Sequence, residues 1–303
     1  MSKIIGIGAC VMDTLYTVPE YPREDTKLRA LEVKLCGGGP AATGVVSAAK
    51  LGISSGFFGV LSDDTGGRFL LEDFKKYAVD TGGIEIIRGC RSFTASIWLS
   101  EKTASRTCVF DKGTLPPLKL SDAQKTALSR VRLLLIDGNE LDAAAEAAGI
   151  VRESGGAVLY DAGGLYGGVE RLLALADILI PSEEFALAHT GAADAKSAAK
   201  SLMERYRPRV VVITQGKRGG VFYEGGEYGD YPSYPAGVVD SNGAGDVFHG
   251  AFAAGWVKGF SPEQCCHFAS AVSALKCTGF GARESVPDYD TAILFLRRNG
   301  YEL

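Results

Sequence analysis

The segment at 240–246 combines residue types that could carry out phosphoryl transfer. It reads Asp-Ser-Asn-Gly-Ala-Gly-Asp, and apolar residues follow it at positions 247, 248, 251, 252 and 256. Because this is the spacing of a helix, the glycines lie where a loop becomes a helix, and the unbonded N–H groups of that first turn favour an anion. Asp246 stands beside this anion site and could accept a proton from a hydroxyl group. From spacing alone, the same residues also fit an Asp that caps a helix after a glycine-rich turn.

Two further glycine-rich segments could hold ligands. Residues 37–43, Gly-Gly-Gly-Pro-Ala-Ala-Thr, would let the backbone approach a ligand closely and bind sugar hydroxyls through its amides. Taken alone, they are better explained as a tight turn. Residues 214–220, Thr-Gln-Gly-Lys-Arg-Gly-Gly, follow a Val/Ile-rich stretch. This polar loop suits nucleotide phosphates, with Thr214 and Lys217 as candidate hydrogen-bond donors.

Other familiar chemistries lack their signatures. A dinucleotide fingerprint is excluded because the glycines at positions 6 and 8 are not followed by the third glycine or by a helix. The chain contains no G-x-x-x-x-G-K-S/T segment and is therefore not a P-loop enzyme. The three histidines, His189, His249 and His267, lack the spacing of zinc ligands.

The elements that must position these loops alternate between strands and helices. The predicted strands are 4–7, 132–137, 157–161, 178–180 and 210–214, and the predicted helices are 40–51, 140–154 and 195–206. A capping box at 261–264 starts a further helix. The alternation predicts an α/β fold with a mostly parallel sheet and helices on both faces. Since such sheets bind ligands beyond the carboxyl ends of their strands, we expect the ligand-binding loops at that edge.

Two segments without a covering helix predict a second, smaller sheet. Residues 13–36 contain two strand-like pieces, and residues 92–110 fit a hairpin around a polar turn at 101–105. We expect them to form one small antiparallel sheet that projects as a lid. The alternative is an ordinary edge extension of the main sheet. The core would consist of 1–12, 37–91 and 111–303, in which 223–234, rich in Gly and Tyr, fits a surface hairpin.

Composition limits the classes of partner. The chain has 303 residues with 32 Lys and Arg against 36 Asp and Glu, and its net charge of −4 gives no general attraction to nucleic acid or anionic membranes. No apolar run approaches the roughly 20 residues that span a bilayer, and the first residues lack the pattern of a secretory leader. Seven cysteines without a C-x-x-C spacing favour reduced thiols, so we expect a cytoplasmic protein.

With these residues in view, the chain resembles the ribokinase-like (PfkB) carbohydrate kinases along essentially its whole length. The resemblance rests on 37–43 and 240–246, which occur in the family's order about 200 residues apart. Residues 37–43, 246–251 and 274–278 look most like sulfofructose kinases, and 105–107 with 115–116 look like ketohexokinases. The resemblance implies a mostly parallel central sheet with helices on both faces and a small β-sheet lid. It also implies an ATP-dependent kinase that transfers the γ-phosphoryl group to a primary hydroxyl of a ketose or related sugar.

The resemblance further implies roles for individual residues. Asp246 would be the catalytic base, and the anion hole would be formed by Gly243, Ala244 and Gly245. The sugar side would comprise Asp13, Lys27, Gly38, Gly39, Asp137 and Asn139. The ATP side would comprise Thr214, Gly216, Lys217 and Gly219, with Gly281 and Ala282 next to adenine. Mg²⁺ would accompany the nucleotide, and in many members the residue at Asp240 and nearby carbonyls hold a monovalent cation such as K⁺.

Departures from the family pattern bear on the acceptor and the metal. Ala42 stands where the family often has Asn, which removes one sugar contact. The usual Asn-x-x-Glu appears as Ser-Glu-Glu-Phe at 182–185, which leaves Glu183 as the substitute for organising Mg²⁺ water. Sulfofructose kinases carry an Arg near Asn139, so a sulfonated substrate is not expected, although Lys27 on the lid could reach an anionic tail.

Two alternatives stay open at this point. A nucleoside kinase of the same fold would be distinguished by testing nucleosides as acceptors. A non-catalytic regulator that binds a sugar or a nucleotide would have no use for a base at Asp246. The expected partners are ATP and a small sugar, with no nucleic acid and no membrane. An exposed lid sheet would also allow a homodimer through that sheet.

Overall fold

The computed structural model of the chain describes residues 2–103, 105–164 and 167–303. Met1, Ala104, Leu165 and Tyr166, which fall within the predicted core and lid segments, lie outside the described residues. The strands are β1 (Ile4–Ile7), β2 (Val11–Val18), β3 (Glu32–Gly38), β4 (Ser55–Ser62), β5 (Asp80–Ile87), β6 (Thr94–Ser100), β7 (Ser105–Asp111), β8 (Leu133–Ile136), β9 (Ala157–Ala162), β10 (Ile178–Pro181), β11 (Val210–Thr214), β12 (Gly220–Glu224) and β13 (Glu227–Tyr231). The helices are α1 (Pro40–Lys50), α2 (Thr65–Lys76), α3 (Asp122–Leu128), α4 (Leu141–Glu153), α5 (Val169–Leu173), α6 (Glu183–Thr190), α7 (Ala195–Tyr206), α8 (Ala244–Lys258), α9 (Pro262–Lys276) and α10 (Tyr289–Arg298). Within these described ranges, no helix is both long and apolar enough to cross a membrane.

The central sheet has nine strands in the order β13-β12-β11-β10-β9-β8-β1-β4-β5. The pairs from β11 through to β5 are parallel, and the hairpin of β12 and β13 is added antiparallel at one edge. The predicted mostly parallel sheet is therefore confirmed. Each predicted strand and helix of this sheet agrees with the structure to within one residue at either end.

The sheet is buried on both faces because successive side chains of a strand point to opposite sides. In β8, Leu133 and Leu135 join a hydrophobic cluster with α1, α8 and α9, whereas Leu134 and Ile136 join another with α4 and α7. All four side chains are fully buried, and each stabilises the fold by about 1.5–3 kcal/mol. This packing holds the carboxyl ends of the strands at a fixed edge.

Helix α8 passes through the interior and carries the segment 240–246 at its start. It is flanked by Gly243 and Gly259, both in the left-handed backbone conformation that favours glycine. Most of its residues are buried, and it packs between α1 and α9. Pro40 occupies the first turn of α1, and the predicted capping box opens α9. The loop before α8 is therefore held by three packed helices.

A separate four-stranded sheet, in the order β3-β2-β6-β7, forms the predicted lid. It is not purely antiparallel as expected, because β2 pairs with β6 in parallel while β3 and β7 flank them antiparallel. In the chain, β2 follows β1 and β6 follows β5. Since β1 and β5 run in the same direction in the central sheet, β2 and β6 leave that sheet in the same direction. The register places Asp13 beside Ala95 and Cys36. Asp13 and Ala95 lie on the face that looks towards the edge of the central sheet.

Candidate active site

Two cavities open side by side at the carboxyl edge of the parallel strands. The first, of about 500 Å³, lies between this edge and the lid. The second, of about 570 Å³, lies on the other side of the loop 241–245. Both cavities are lined by Thr214, Ser241, Ala244 and Gly245. A ligand in one cavity would therefore meet a ligand in the other at the start of α8.

The polar side chains of the first cavity come from the ends of neighbouring strands and from the lid. Asp137 follows β8, Asp161 lies near the end of β9, and Thr214 ends β11. The lid contributes Asp13 from β2 and Arg106 from β7. An apolar wall of this cavity is formed by Val11, Phe93, Ala95, Ile97 and Phe110. Such a mixture of an apolar wall and a few convergent polar groups is typical of a small-molecule site.

The loop before α8 presents the amides predicted to bind an anion. Gly243 has φ +73°, and a Cβ there would lie 2.6 Å from the Cβ of Ala282, so the position requires glycine. The N–H of Ala244 donates to the carbonyl of Ser241 at 3.2 Å, so this amide is engaged within the loop. Of the predicted trio, Gly243 and Gly245 are the residues whose amides have no protein acceptor within the described residues.

Asp246 is the third residue of α8 and lines the first cavity. Burial raises the pKa of its carboxyl group, and the positive charges of His249 and Arg106 oppose that rise. The neighbouring Asp137 raises the pKa of Asp246 as well. A carboxylate under these opposing influences suits a base that must be ionised before the reaction and must hold a proton after it.

His249, one turn further along α8, forms a buried ion pair with Asp161. Its Nδ1 lies 3.1 Å from Oδ2 of Asp161 and 2.6 Å from the carbonyl oxygen of Gly245, and its Nε2 lies 2.9 Å from the carbonyl oxygen of Ile180. Because both backbone oxygens can only accept, both ring nitrogens are placed to donate to them. This ring lies beside Asp161 and Asp246, and a positive charge on it would offset theirs. Burial raises the pKa of Asp161, and His249 opposes that rise.

Sequence reasoning did not select Asp161, His249 or Arg106 as site residues. Asp161 lies at the end of an apolar strand as Asp137 does, so its position at the carboxyl end of a parallel strand is the signal that could find it. Arg106 donates from Nη1 to Oδ1 of Asn242 at 3.0 Å, and this bond joins the lid to the anion-hole loop. The two residues are 136 positions apart in the chain, and no local pattern connects them.

Asp13, on the lid strand β2, lies against the glycine segment at 37–39. It is 6% exposed, and burial raises its pKa to about 7. A Cβ at Gly38 would lie 2.1 Å from Oδ2 of Asp13, so the absence of a side chain there leaves room for the carboxylate. Gly39 precedes α1 and lines the first cavity together with Asp13. The structure thus brings these three predicted residues together.

Asp137 lies in the cavity, but its carboxylate is already hydrogen-bonded to the protein. Oδ2 accepts from the N–H groups of Ala9 at 2.9 Å and Ala41 at 3.0 Å. Oδ1 accepts from the backbone N–H of Asn139 at 3.0 Å and from its side-chain Nδ2 at 3.2 Å. Asp137 therefore joins the β1–β2 turn to the start of α1, and Asn139 lines the cavity beside it. Lys27 is exposed in the strandless stretch between β2 and β3 and is not among the described residues that line the cavity.

The second cavity receives the nucleotide-binding residues predicted after β11. Its polar end is lined by Thr214, Gly216, Lys217 and Gly219. The segment 223–234, predicted as a surface hairpin, contributes two buried rings to this cavity. Tyr231 and Tyr234 line it together with Phe248. An apolar, aromatic wall beside a polar glycine loop suits a nucleobase with its phosphates.

Gly281 and Ala282 do not line this cavity, although they were predicted beside adenine. The N–H of Gly281 donates to Oδ2 of Asp240 at 2.9 Å, and Ala282 packs behind Gly243. The chain turns back beneath the anion-hole loop after α9. These two residues therefore support that loop from below.

Glu183, the predicted organiser of Mg²⁺ water, is held in an ion pair. Its carboxylate accepts from Nε2 of Gln215 at 2.7 Å and from Arg218. Glu183 lines neither cavity within the described part of the chain, since these partners turn it towards the loop after β11. Among the described residues, no group of three or more His, Cys, Asp and Glu side chains could enclose a metal ion. A divalent cation here would depend mainly on phosphate oxygens and water.

Asp240 and Lys276 lie beneath the anion-hole loop. Oδ1 of Asp240 accepts from the N–H of Asn242 at 2.7 Å, and Oδ2 accepts from that of Gly281 at 2.9 Å. Lys276 is fully buried, and its Nζ donates to the carbonyl oxygen of Asp240 at 2.8 Å and to that of Asn242. Burial lowers the pKa of Lys276, and the charge of Asp240 opposes that effect.

Comparison with known proteins points in the same direction as this geometry. Residues 1–289 match the family described as pfkB family carbohydrate kinase. A ribokinase of Haemophilus influenzae is 26% identical over 96% of this chain and 97% of its own length. A fructokinase of Klebsiella pneumoniae is 28% identical over 95% of this chain and 97% of its own length. The structure of an Arabidopsis thaliana ribokinase complexed with ribose and ATP matches with a TM-score of 0.86 and 24% identity, over 98% of this chain and 99% of that one.

Proposed function

Because this chain belongs to the pfkB family of carbohydrate kinases, we propose that its first cavity holds a ketose or related sugar and its second holds ATP. The chain is an ATP-dependent sugar kinase with the ribokinase-like fold, a phosphotransferase that acts on an alcohol group. The proposal adds that the acceptor is a primary hydroxyl and that Asp246 is the base. It is carried by one observation, the meeting of the two cavities at the loop 241–245 with Asp246 on the acceptor side.

Asp246 accepts the proton of the attacking hydroxyl in this mechanism. The sugar oxygen forms a bond to the γ-phosphorus, the bond from that phosphorus to the bridging oxygen of ADP breaks, and the proton moves to the carboxylate. General base catalysis of this kind contributes about 10²–10⁴-fold to a rate. The amides of Gly243 and Gly245 stabilise the charge on the transferring group, since they are oriented before the reaction begins.

The lid supplies the remaining polar contacts. Asp13 and Arg106 lie on the same face of the lid sheet and line the acceptor cavity. Asp13 binds sugar hydroxyls, and Arg106 places a positive charge beside the anion-hole loop through its bond to Asn242. A closed lid also excludes water, which suppresses hydrolysis of ATP.

Mg²⁺ enters this site with ATP in our proposal. Asp161 and Asp246 line the cavity where the phosphates would meet the acceptor. Their carboxylate oxygens are of the kind that Mg²⁺ takes as ligands. The ion, when bound, neutralises part of the phosphate charge. The protein's own contribution is to hold the carboxylate of Asp161 beside the ring of His249.

A nucleoside acceptor is the second candidate, favoured by the aromatic part of the acceptor cavity. Phe93 and Phe110 lie with their ring centroids 5.8 Å apart at an interplanar angle of 49°. Both rings line the cavity, where they could stack against a nucleobase. Nucleosides therefore belong in any acceptor screen.

A homodimer through the lid is also part of the proposal. The face of the lid sheet opposite Asp13 exposes Val33, Leu35 and Val109, which are 55%, 52% and 62% exposed. Exposed apolar rows on a sheet favour association with another copy. Light scattering should report a dimer, and Val33→Lys should convert it to a monomer. A monomeric intact protein at micromolar concentration would refute this part.

The test of the kinase mechanism is a screen of ATP consumption with Mg²⁺ across ketoses, aldoses, nucleosides and sugar acids. Asp246→Asn should bind the preferred acceptor with nearly unchanged affinity by calorimetry, while its kcat falls by about 10²–10⁴-fold. Asp122→Asn is the matched control, because Asp122 also lies in the first turn of a helix but far from both cavities. Normal turnover by Asp246→Asn would refute the assignment of the base.

A further inference from the structure

The oxygens around Asp240, where the family resemblance implies a monovalent cation, are already hydrogen-bonded. Both carboxylate oxygens accept backbone N–H groups, and the carbonyls of Asp240 and Asn242 accept the ammonium of Lys276. A second cation about 4 Å from that ammonium would be repelled strongly enough to weaken its binding by about a thousand-fold. The residues present therefore do not fit a separate monovalent cation at this place.

We propose that the ammonium of Lys276 takes the place of that cation and makes this kinase independent of potassium. The ammonium carries the same charge and binds backbone carbonyl oxygens through its N–H groups. Because it is tethered to α9, it is present at every salt concentration. The inference rests on the proposed phosphoryl transfer, since the anion hole is the feature that the charge serves.

Hydrogen bonds hold the end of α9 firmly against the anion-hole loop. The carbonyl of Cys277, which follows Lys276, accepts from the N–H of Asp240 at 3.1 Å. Ser273, one turn before the end of α9, donates from Oγ to the carbonyl of Ala244 at 2.8 Å. The last turn of α9 and the loop therefore form one hydrogen-bonded unit that includes the ammonium.

The ammonium acts on the anion hole through the geometry of the peptide group. In a trans peptide, the C=O of one residue and the N–H of the next point in opposite directions. Because the carbonyl of Asn242 is turned towards Lys276, the N–H of Gly243 is turned away from Lys276, and Gly243 lines the acceptor cavity. Lys276 is thus a positioning residue that orients this amide, and its charge adds to the positive end of α8.

The kinetic test compares the intact protein with Lys276→Ala in potassium chloride and in tetramethylammonium chloride at equal ionic strength. For the intact protein, kcat and the KM for ATP should be the same in both salts. Lys276→Ala should lose about tenfold or more in kcat in tetramethylammonium chloride. It should regain part of that loss in potassium chloride or ammonium chloride, whose ions fit the space that the side chain vacates.

Lys50→Ala is the matched control for a lysine that binds backbone carbonyls. Nζ of Lys50 donates to the carbonyl oxygens of Arg283 at 3.1 Å and Glu284 at 2.6 Å, and Lys50 lines neither cavity within the described residues. This variant should keep the kcat of the intact protein. Its kcat should also be the same in potassium, ammonium and tetramethylammonium chlorides.

Thermal denaturation supplies a measurement that needs no substrate. Potassium and ammonium should raise the Tm of Lys276→Ala above its value in tetramethylammonium chloride, because an ion bound to the folded state stabilises it. The Tm of the intact protein and of Lys50→Ala should not respond in this way. A failure of the proposed function would leave this result unchanged, so the two proposals can be separated.

Activation of the intact protein by potassium, by severalfold in kcat, would overturn the inference, and this measurement does not depend on the folding of any variant. Full activity of Lys276→Ala in tetramethylammonium chloride would also overturn it. A loss that neither potassium nor ammonium restores, in rate or in Tm, would assign Lys276 to packing alone and overturn the inference as well.

Discussion

Replacing Gly38 by alanine tests whether Asp13 binds the acceptor. A Cβ at Gly38 would lie 2.1 Å from Oδ2 of Asp13 and 2.7 Å from its Cγ. Separations below 3.0 Å force a neighbour to shift, so the carboxylate must move by about 1 Å. Asp13, on the lid strand β2, is 6% exposed and packs against the glycine segment. Its carboxylate would therefore move away from the position that the sugar would contact.

The expected loss follows from the bonds that this movement breaks. A hydrogen bond to a charged group contributes about 1.5–3 kcal/mol, which corresponds to about 10- to 150-fold in kcat/KM for the acceptor. The KM for ATP should stay the same, because neither Gly38 nor Asp13 lines the second cavity within the described residues. Steady-state kinetics with each substrate varied in turn measures both quantities.

Gly149→Ala is the matched control for this substitution. Gly149 lies in α4, with ordinary φ and open space around the position of a Cβ. Its replacement should leave the kinetics unchanged and stabilise the fold by about 0.5–1 kcal/mol. In the Gly38→Ala background, Asp13→Ala should add little to the loss in kcat/KM. The reasoning is refuted if Gly38→Ala keeps the acceptor kcat/KM of the intact protein, or if Asp13→Ala costs the same in both backgrounds.

Three further predictions concern charges around the acceptor cavity. Arg106→Gln should lower kcat by about tenfold or more, because it removes a charged hydrogen-bond donor to Asn242. It should change Tm little, because Arg106 is exposed on the lid. Steady-state kinetics and thermal denaturation measure the two effects. Burial raises the pKa of Asp13 to about 7, whereas the unfolded chain loses this proton above about pH 4. Because the folded state holds the extra proton between these two values, the free energy of unfolding falls as the pH rises from about 4 to about 7. Asp13→Asn should therefore be more stable than the intact protein by about 2–4 kcal/mol at pH 8 and equally stable near pH 4, as measured by urea unfolding. His249 opposes the raised pKa of Asp246, so in His249→Gln the acid limb of the kcat/KM profile should shift to higher pH.

Each of these predictions has an outcome that contradicts it. Asp194→Ala is the control of opposite sign for Asp13→Asn. Asp194 caps α7, and the hydrogen bond from the N–H of Ser197 lowers the pKa of Asp194. The variant should therefore lose stability at pH 8 and none at acid pH. A change of the same sign in Asp13→Asn and in this control would contradict the burial argument. An unchanged kcat in Arg106→Gln, or an unshifted acid limb in His249→Gln, would contradict the charge roles given to those residues.

The central fold was predictable where local patterns are strong. The apolar strand Val210–Thr214 and the helix Ala195–Tyr206 have the predicted bounds, and Pro40 lies where it was expected in α1. Strand Ser55–Ser62 and helix Thr65–Lys76 were not predicted. The strand contains two glycines and two serines among eight residues, and the helix begins Thr-Gly-Gly. Tertiary packing overrides weak local preferences of this kind.

The candidate site was predictable to the extent that it is built from continuous segments. The anion-hole loop, the glycine segment before α1 and the loop after β11 are each a few residues long, and their chemistry is visible in order along the chain. Gly281 and Ala282 were expected beside adenine from the family resemblance, whereas the chain turns beneath Asp240 at that point. Glu183 was chosen by its place in a motif, and Arg218 holds it elsewhere.

The amino-acid sequence by itself determined the alternation of strands and helices, the positions that require glycine, and the proximity of Asp246 to unbonded amides. These depend on neighbours within a few residues, where backbone geometry and helix periodicity act. The tertiary structure decided that Arg106 reaches Asn242, that His249 lies between Asp161 and two backbone carbonyls, and that Lys276 lies under the anion hole. Those contacts join residues that are far apart in the chain, and their energies arise only when packing brings the charges together and excludes water between them.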